Sequence, residues 1–427
     1  MKIHLKALGC RLNEAELEQW SQSFRAAGHA VVAAAPDADV VVLNTCAVTQ
    51  EASAKSRRLL NRLYRENPAA KLIVSGCYAT LQATEVANTL GVDLVVPNTE
   101  KDQLPHKVME TFALPVMPEI ATEPGENSLF VRGRHRAFIK IQDGCRYRCT
   151  FCIVTVARGE ERSRTEVSII EEINQLTSQG VQEVVLTGVH VGGYGSDLVD
   201  SSLYSLVQRI LTETDIPRIR FASVEPWDLP EDFFALFSNP RLMPHMHLPI
   251  QSGADSVLRR MARRCKTTEF AQLVAQARTA IPEFNVTTDI IVGFPGETEE
   301  EWRATVEFVE RIGFGYVHIF TYSARAGTKA AGLANPITEA IKKQRSQELH
   351  QIVERSQQAW LQRQVGKAVS VLWERSREQD GRLIYTGYTP NYCKVITRPD
   401  DTRQLENQIT TVRLSLNSQE EGVLLGV

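Results

Sequence analysis

Long apolar runs are missing from this sequence. No stretch approaches the length that a membrane span needs, and the start, MKIHLKALGC, brings in charge before the apolar part of a secretory signal can form. Both absences point to the cytoplasm and to no membrane partner. Internal repeats and low-complexity tracts are missing too, which excludes solenoid arrays. Strong charge of one sign is absent: 48 Lys and Arg against 51 Asp and Glu leave a net charge of −3, so bulk charge does not hold this protein to nucleic acid. Any RNA contact must come from local basic patches. Two exist, Lys55, Arg58, Arg62 and Arg65 on one helix face, and Arg259, Arg260, Arg263, Arg264 and Lys266; each also reads as an ordinary solvated face. Eight cysteines are too few for a disulfide framework in a chain of this size, so the question is which are buried thiols and which hold metal.

At roughly 150 residues per domain, 427 residues suggest about three domains. The apolar runs 3–8, 40–43, 72–74 and 92–96 alternate with helical patterns such as 14–27, which ends at Gly28, and imply an open parallel α/β domain over 1–112. Pro115, Pro118, Pro124 and Gly125 mark a linker over 113–133. Over 134–365 six further runs (137–141, 183–186, 218–222, 245–248, 286–292 and 316–321) alternate with helices, one of them opened by Thr298 and Glu301 in capping-box spacing. Six βα units with right-handed crossovers predict a partial barrel working at its strand C-termini. A long polar helix over 338–365 closes that segment at Gly366. The remainder, 366–427, changes to short alternating runs (369–373, 383–388, 392–397 and 409–416) and predicts a small all-β barrel.

Chemistry concentrates in Gly144-Cys145-Arg146-Tyr147-Arg148-Cys149-Thr150-Phe151-Cys152. Three thiolates at C-x3-C-x2-C wrap one corner of a cluster from a single loop; soft thiolates suit iron–sulfur clusters and zinc. A closed zinc site wants a fourth protein ligand, and none is obvious nearby. The loop, following the first predicted barrel strand and carrying an aromatic before its third cysteine, resembles the signature of the radical S-adenosylmethionine (SAM) superfamily. That resemblance implies a [4Fe–4S] cluster on Cys145, Cys149 and Cys152, with SAM on the free iron as the source of a 5′-deoxyadenosyl radical.

Cys10, Cys46 and Cys77 each stand just past the end of a predicted parallel strand, the edge at which such sheets gather ligands. They read either as three packed thiols or as a second ligand set. Leu8-Gly9-Cys10-Arg11-Leu12-Asn13, Asn44-Thr45-Cys46-Ala47-Val48-Thr49 and Gly76-Cys77-Tyr78-Ala79 resemble the three motifs of the methylthiotransferase N-terminal domain. The resemblance implies an auxiliary [4Fe–4S] cluster on these three that supplies sulfur. Cys265 and Cys393 match neither set and read as ordinary thiols.

Strand ends of the barrel supply further candidates. Gly188, Ser223, Glu225, Gln251 and Gly293 occupy βα turns where cofactor would bind, or where a turn simply needs such residues. Arg158 has the donor fork for an anionic group of SAM or a phosphate, or for a salt bridge at a helix start. His245, His247 and His318 read as structural. Tyr385, Tyr388 and Tyr392, interleaved with Lys394 and Arg398, suit single-stranded nucleic acid or a barrel core. Gly387-Tyr388-Thr389-Pro390-Asn391-Tyr392 resembles the TRAM domain, an OB-like RNA-binding barrel.

The resemblance covers three blocks spanning essentially the whole chain. It implies a methylthiotransferase with two [4Fe–4S] clusters and SAM, most like the branch acting on carbon 2 of N6-threonylcarbamoyladenosine at tRNA position 37. Its implied partners are a tRNA anticodon loop, an electron donor such as flavodoxin or ferredoxin, and a sulfur donor, with the enzyme a monomer. Isopentenyladenosine in tRNA and a ribosomal-protein aspartate are the alternative substrates within the family. A non-catalytic iron–sulfur RNA-binding redox sensor, and an enzyme whose second cluster only relays electrons, are the readings from outside it.

Overall fold

Five short apolar strands open the chain: β1 (Lys2–Ala7), β2 (Ala30–Val32), β3 (Val40–Thr45), β4 (Lys71–Gly76) and β5 (Val92–Val96). In the computed structural model, which describes residues 1–113, 135–379, 382–399, 403–417 and 420–427, they form a wholly parallel sheet of order β2-β1-β3-β4-β5. Every residue of β3 is buried, as a central strand covered on both faces requires. The edge strand β2 is too short for its alternation to be read from sequence. Of the linker expected at 113–133, only Ala113 is among the described residues.

The next strands are β6 (Arg136–Lys140), β7 (Gln142–Asp143), β8 (Arg162–Ser163), β9 (Glu183–Thr187), β10 (Arg218–Phe221), β11 (His245–His247), β12 (Asn285–Val292) and β13 (Tyr316–Thr321). Strands β6, β9 and β10 pair in parallel, as do β11, β12 and β13, and a bridge between Ser223 and His247 joins the two groups. The result is an open barrel of six parallel strands in chain order. β7 and β8 form a separate hairpin beside the cysteine loop. The expected capping box is present: Thr298 Oγ1 accepts from the Glu301 N–H at the start of helix Glu299–Ile312, and the Glu301 carboxylate accepts from the Thr298 N–H. Thr338 caps the long helix Glu339–Gln362, which packs along β13.

The last strands are β14 (Ala368–Gln379), β15 (Arg382–Tyr388), β16 (Lys394–Thr397), β17 (Ile409–Leu416) and β18 (Leu424–Gly426). They close a ring of order β14-β15-β16-β18-β17, antiparallel except where β16 meets β18. Closure removes the exposed edges that a short sheet would otherwise leave. Tyr385 and Trp373 fill its core. The ring docks through the loop after β15: Arg218 donates to the Tyr388 carbonyl, Arg220 to those of Thr389 and Pro390, and Asn285 to that of Asn391. Among the described residues no helix is long and apolar enough to cross a membrane.

Candidate active site

Strands β1, β3 and β4 are neighbours, so the turns after them lie side by side, about one strand spacing apart. Those turns carry Cys10, Cys46 and Cys77. Tight backbone brings them together. Gly9 has φ +121°, and a Cβ there would lie 2.9 Å from the Cys46 sulfur. Burial, with charge on Cys10 and Cys77 acting the same way, pushes the Cys46 thiol up to about 11. The three cysteines line a cavity of about 740 Å³.

The second set sits on the loop after β7. Gly144 (φ +73°) opens it, and a Cβ there would overlap the Glu160 carbonyl at 1.8 Å. Thr150 fastens the loop to the barrel, its N–H donating to the Met261 carbonyl and its hydroxyl to that of Arg260. The Val154 N–H points at the Cys152 sulfur (3.4 Å) and Arg263 Nη1 at that of Cys149 (3.7 Å). Burial raises Cys145 to about 12 and Cys152 to about 11. Protonated thiols at neutral pH mean that metal binding must release protons. Asn98 links the two sets: its Nδ2 points at the Cys77 sulfur (3.7 Å) and donates to the Ala157 carbonyl (2.7 Å), in the helix that follows the second cysteine loop. Each offers three soft sulfurs with N–H donors beside them, a donor set that fits an iron–sulfur cluster.

The strand-end candidates divide. Gly188 and Ser223 line the cavity; Glu225, Gln251 and Gly293 are not among its wall residues. Glu225 Oε2 lies 3.8 Å from His190 Nε2 and is buried with no hydrogen-bond partner among the described residues, so a ligand donor could be accepted there. Gln251 is buried at φ +84° and bonds β12 through its backbone. Gly293 serves packing: a Cβ would lie 2.4 Å from Lys342 Cγ.

Arg158 departs from its expected contact with an anionic group of SAM. Its guanidinium, 2% exposed, donates to Glu16 and Asp143 (3.0 Å each) and to Asn13 (2.9 Å). Lys101 pairs with Glu16, and Lys140 with Asp143 at 3.3 Å. The ensemble is a buried charge cluster between the first sheet and the barrel, and the salt-bridge reading of Arg158 is the one its geometry matches. Burial would raise the Glu16 carboxyl, but Lys101, Arg158 and Lys140 outweigh it and hold it at about 2.

Sequence reasoning did not assign His190, although it lies two residues past the strand-end Gly188. Buried completely, it joins Glu161 through Nδ1 and Asp228 through Nε2 (2.6 Å), and Tyr147 of the cysteine loop donates to the same Asp228 (2.8 Å). Burial disfavours its charged form, yet the carboxylates of Asp228, Glu225 and Glu161 win and raise its pKa. A clamped imidazole ring therefore braces the loop that carries Cys145.

The tyrosines are also redistributed. Tyr385 is core, and Tyr392 is sandwiched between His245 (4.7 Å) and Tyr388 (4.9 Å), so neither offers a free face. Exposed aromatics stand elsewhere. Tyr316 and Phe320 project from the edge strand β13, with His318 between them, into the cavity. Lys55, Arg58, Arg62 and Arg65 are all exposed, with Lys55 and Arg62 paired to Glu51 and Glu66. The second basic cluster is largely occupied: Arg260 pairs with Glu301, while Arg263 and Arg264 lie over Trp227 and Tyr147.

Residues 139–309 match the Radical SAM superfamily and residues 2–97 match the uncharacterized protein family UPF0004. The chain is 34% identical to the threonylcarbamoyladenosine tRNA methylthiotransferase MtaB of Bacillus subtilis, over 96% of this chain and 93% of that one. It is 36% identical to the enzyme of that name from Thermotoga maritima, over 92% and 90%. With the tRNA-2-methylthio-N(6)-dimethylallyladenosine synthase of Oceanobacillus iheyensis it shares 35% over 91% and 77%. Among solved structures it resembles the radical S-adenosylmethionine methyltransferase TsrM from Kitasatospora setae, with cobalamin and a [4Fe-4S] cluster bound (TM-score 0.57, 15% identity, 77% of each chain). That likeness concerns the fold alone.

Proposed function

Since this chain belongs to the radical SAM tRNA methylthiotransferases, we propose that it adds a methylthio group to carbon 2 of N6-threonylcarbamoyladenosine beside the tRNA anticodon. The observation that carries the reading is the nearness of two cysteine triads, one lining a cavity of about 740 Å³ that barrel strand ends also line, the other joined to it through Asn98. Cys145, Cys149 and Cys152 would hold the cluster that draws a 5′-deoxyadenosyl radical from SAM. Cys10, Cys46 and Cys77 would hold the cluster that supplies sulfur. The chain's own part is to bind and orient. Gly188 and Ser223 leave room for backbone contacts with SAM, and Glu225 offers an acceptor to a ribose hydroxyl or the SAM amino group. A single-stranded anticodon loop lets its base splay out into the cavity, where Tyr316 and Phe320 present flat faces. A flavodoxin- or ferredoxin-like electron donor, a sulfur donor, a cytoplasmic site of action and a monomeric enzyme complete the proposal.

The test is mass spectrometry of tRNA nucleosides from cells with and without the gene, complemented by wild type, Cys145→Ala or Cys46→Ala. Loss of methylthio-threonylcarbamoyladenosine that only wild type restores supports the assignment. Loss of methylthio-isopentenyladenosine instead would transfer it to the second substrate, for which the likeness to the Oceanobacillus iheyensis synthase speaks. Unchanged methylthio nucleosides would overturn it.

A further inference from the structure

Among the described residues three arginine and lysine side chains line the cavity: Arg11, Arg158 and Lys394. Arg158 is answered by Glu16 and Asp143, and Lys394 by Glu420 at 2.9 Å. Arg11 is different. Among the described residues no carboxylate lies within ion-pair distance of its guanidinium, which is only partly buried. Nη2 donates to the Tyr392 hydroxyl (3.3 Å), and the guanidinium carbon lies 5.9 Å from the centre of the Tyr392 ring and 6.0 Å from that of Phe138. Tyr392 is itself fixed, stacked on both faces and held by Arg136 through its hydroxyl (3.1 Å). Arg11 is thus a positioned cation beside Cys10; among the described residues Nε, Nη1 and the second Nη2 hydrogen have no acceptor, which leaves a parallel donor pair open.

A guanidinium in that state has the donor geometry for a carboxylate, bound through two parallel N–H···O contacts. Resting on the substrate reading above, we propose that Arg11 binds the carboxylate of the threonyl group on N6 of the target adenosine. It thereby sorts carboxylate-bearing adenosines from those with a hydrocarbon substituent. An isopentenyl group would leave the cation unanswered in a partly enclosed site, which disfavours it as strongly as the acid is favoured. Tyr392 acts on the same choice by positioning the guanidinium.

The test uses the enzyme loaded with both clusters and three anticodon stem–loop RNAs that differ only on N6: the threonylcarbamoyl acid, its carboxamide and the isopentenyl form. Dissociation constants are read by fluorescence anisotropy, with iron and sulfide content measured alongside. Wild type should bind the acid tightest. Arg11→Gln should weaken the acid by about ten- to a hundredfold, the range of a charged hydrogen-bonded contact, and leave the carboxamide nearly unchanged. Arg11→Lys should recover part of the loss. Equal weakening of acid and carboxamide, or no weakening of either, overturns the role of Arg11. Should Arg11→Gln lose iron, Tyr392→Phe serves in its place: a narrowed acid-to-carboxamide ratio supports the proposal and an unchanged ratio overturns it. Preference of wild type for the isopentenyl RNA sinks the substrate reading itself, a result distinct from an acid preference that survives Arg11→Gln.

Discussion

Gly9 is the residue on which the first sulfur triad depends most visibly. Its φ of +121° is open to glycine almost alone, and a side chain would run into the Cys46 sulfur and Cβ. Gly9→Ala should therefore fold yet lose one cluster: iron in the reconstituted protein should drop from about eight to about four atoms per chain. Retention of full iron would show that the turn yields. The identity of Gly9 is legible in the sequence, but the reason for it is not. Nothing in residues 8–13 announces that Cys46, from another strand, will occupy the space where a Cβ would stand. Arg11 is hidden in the same way, because its ring partners are Phe138 and Tyr392. The tight Cys145–Cys152 loop is the opposite case, since three thiols within one short loop need no tertiary information to be seen together.

Edge strand β13 presents Tyr316, His318 and Phe320 on one face, and alternation makes that stripe. In the sequence the run 316–321 reads as one more barrel strand, and that its aromatic face lines the cavity depends on residues far away in the chain. A stacked base on an aromatic side chain is worth about 1–3 kcal/mol. The double substitution Tyr316→Ala and Phe320→Ala should weaken binding of an anticodon stem–loop by about five- to a hundredfold, by anisotropy, at constant salt. Unaltered affinity would assign the stripe to something other than RNA. Regular elements were the most legible part of the fold, because strand alternation and the Thr298 and Thr338 caps are local signals. β2 and β18, of three residues each, are too short for any period, and β18 exists because it closes a ring.

The first sheet and the barrel are joined by a buried cluster of charge. Glu16, from the first sheet's helix, meets Lys101, Arg158 and Lys140, with Asp143 completing the cluster. Because its carboxyl is held at about 2 against a usual 4.5, its contribution to stability is complete above pH 4.5 and drains away as pH falls toward 2. Glu16→Gln should cost about 3–5 kcal/mol near neutrality, since it strands buried cations. In thermal melts the gap between variant and wild type should be widest above pH 4.5 and close as pH approaches 2. A gap independent of pH would mean that shape rather than charge holds the junction. Sequence could not disclose the junction, whose Asn13–Arg158 contact spans 145 positions. The cavity is drawn from the same distances, with walls from Gly9 to Gly422. The C-terminal ring is therefore no detachable module. A chimera that exchanged it between relatives would also replace the wall at Tyr392, Lys394 and Gly422, and would inherit part of the donor's taste in substrates along with its ring.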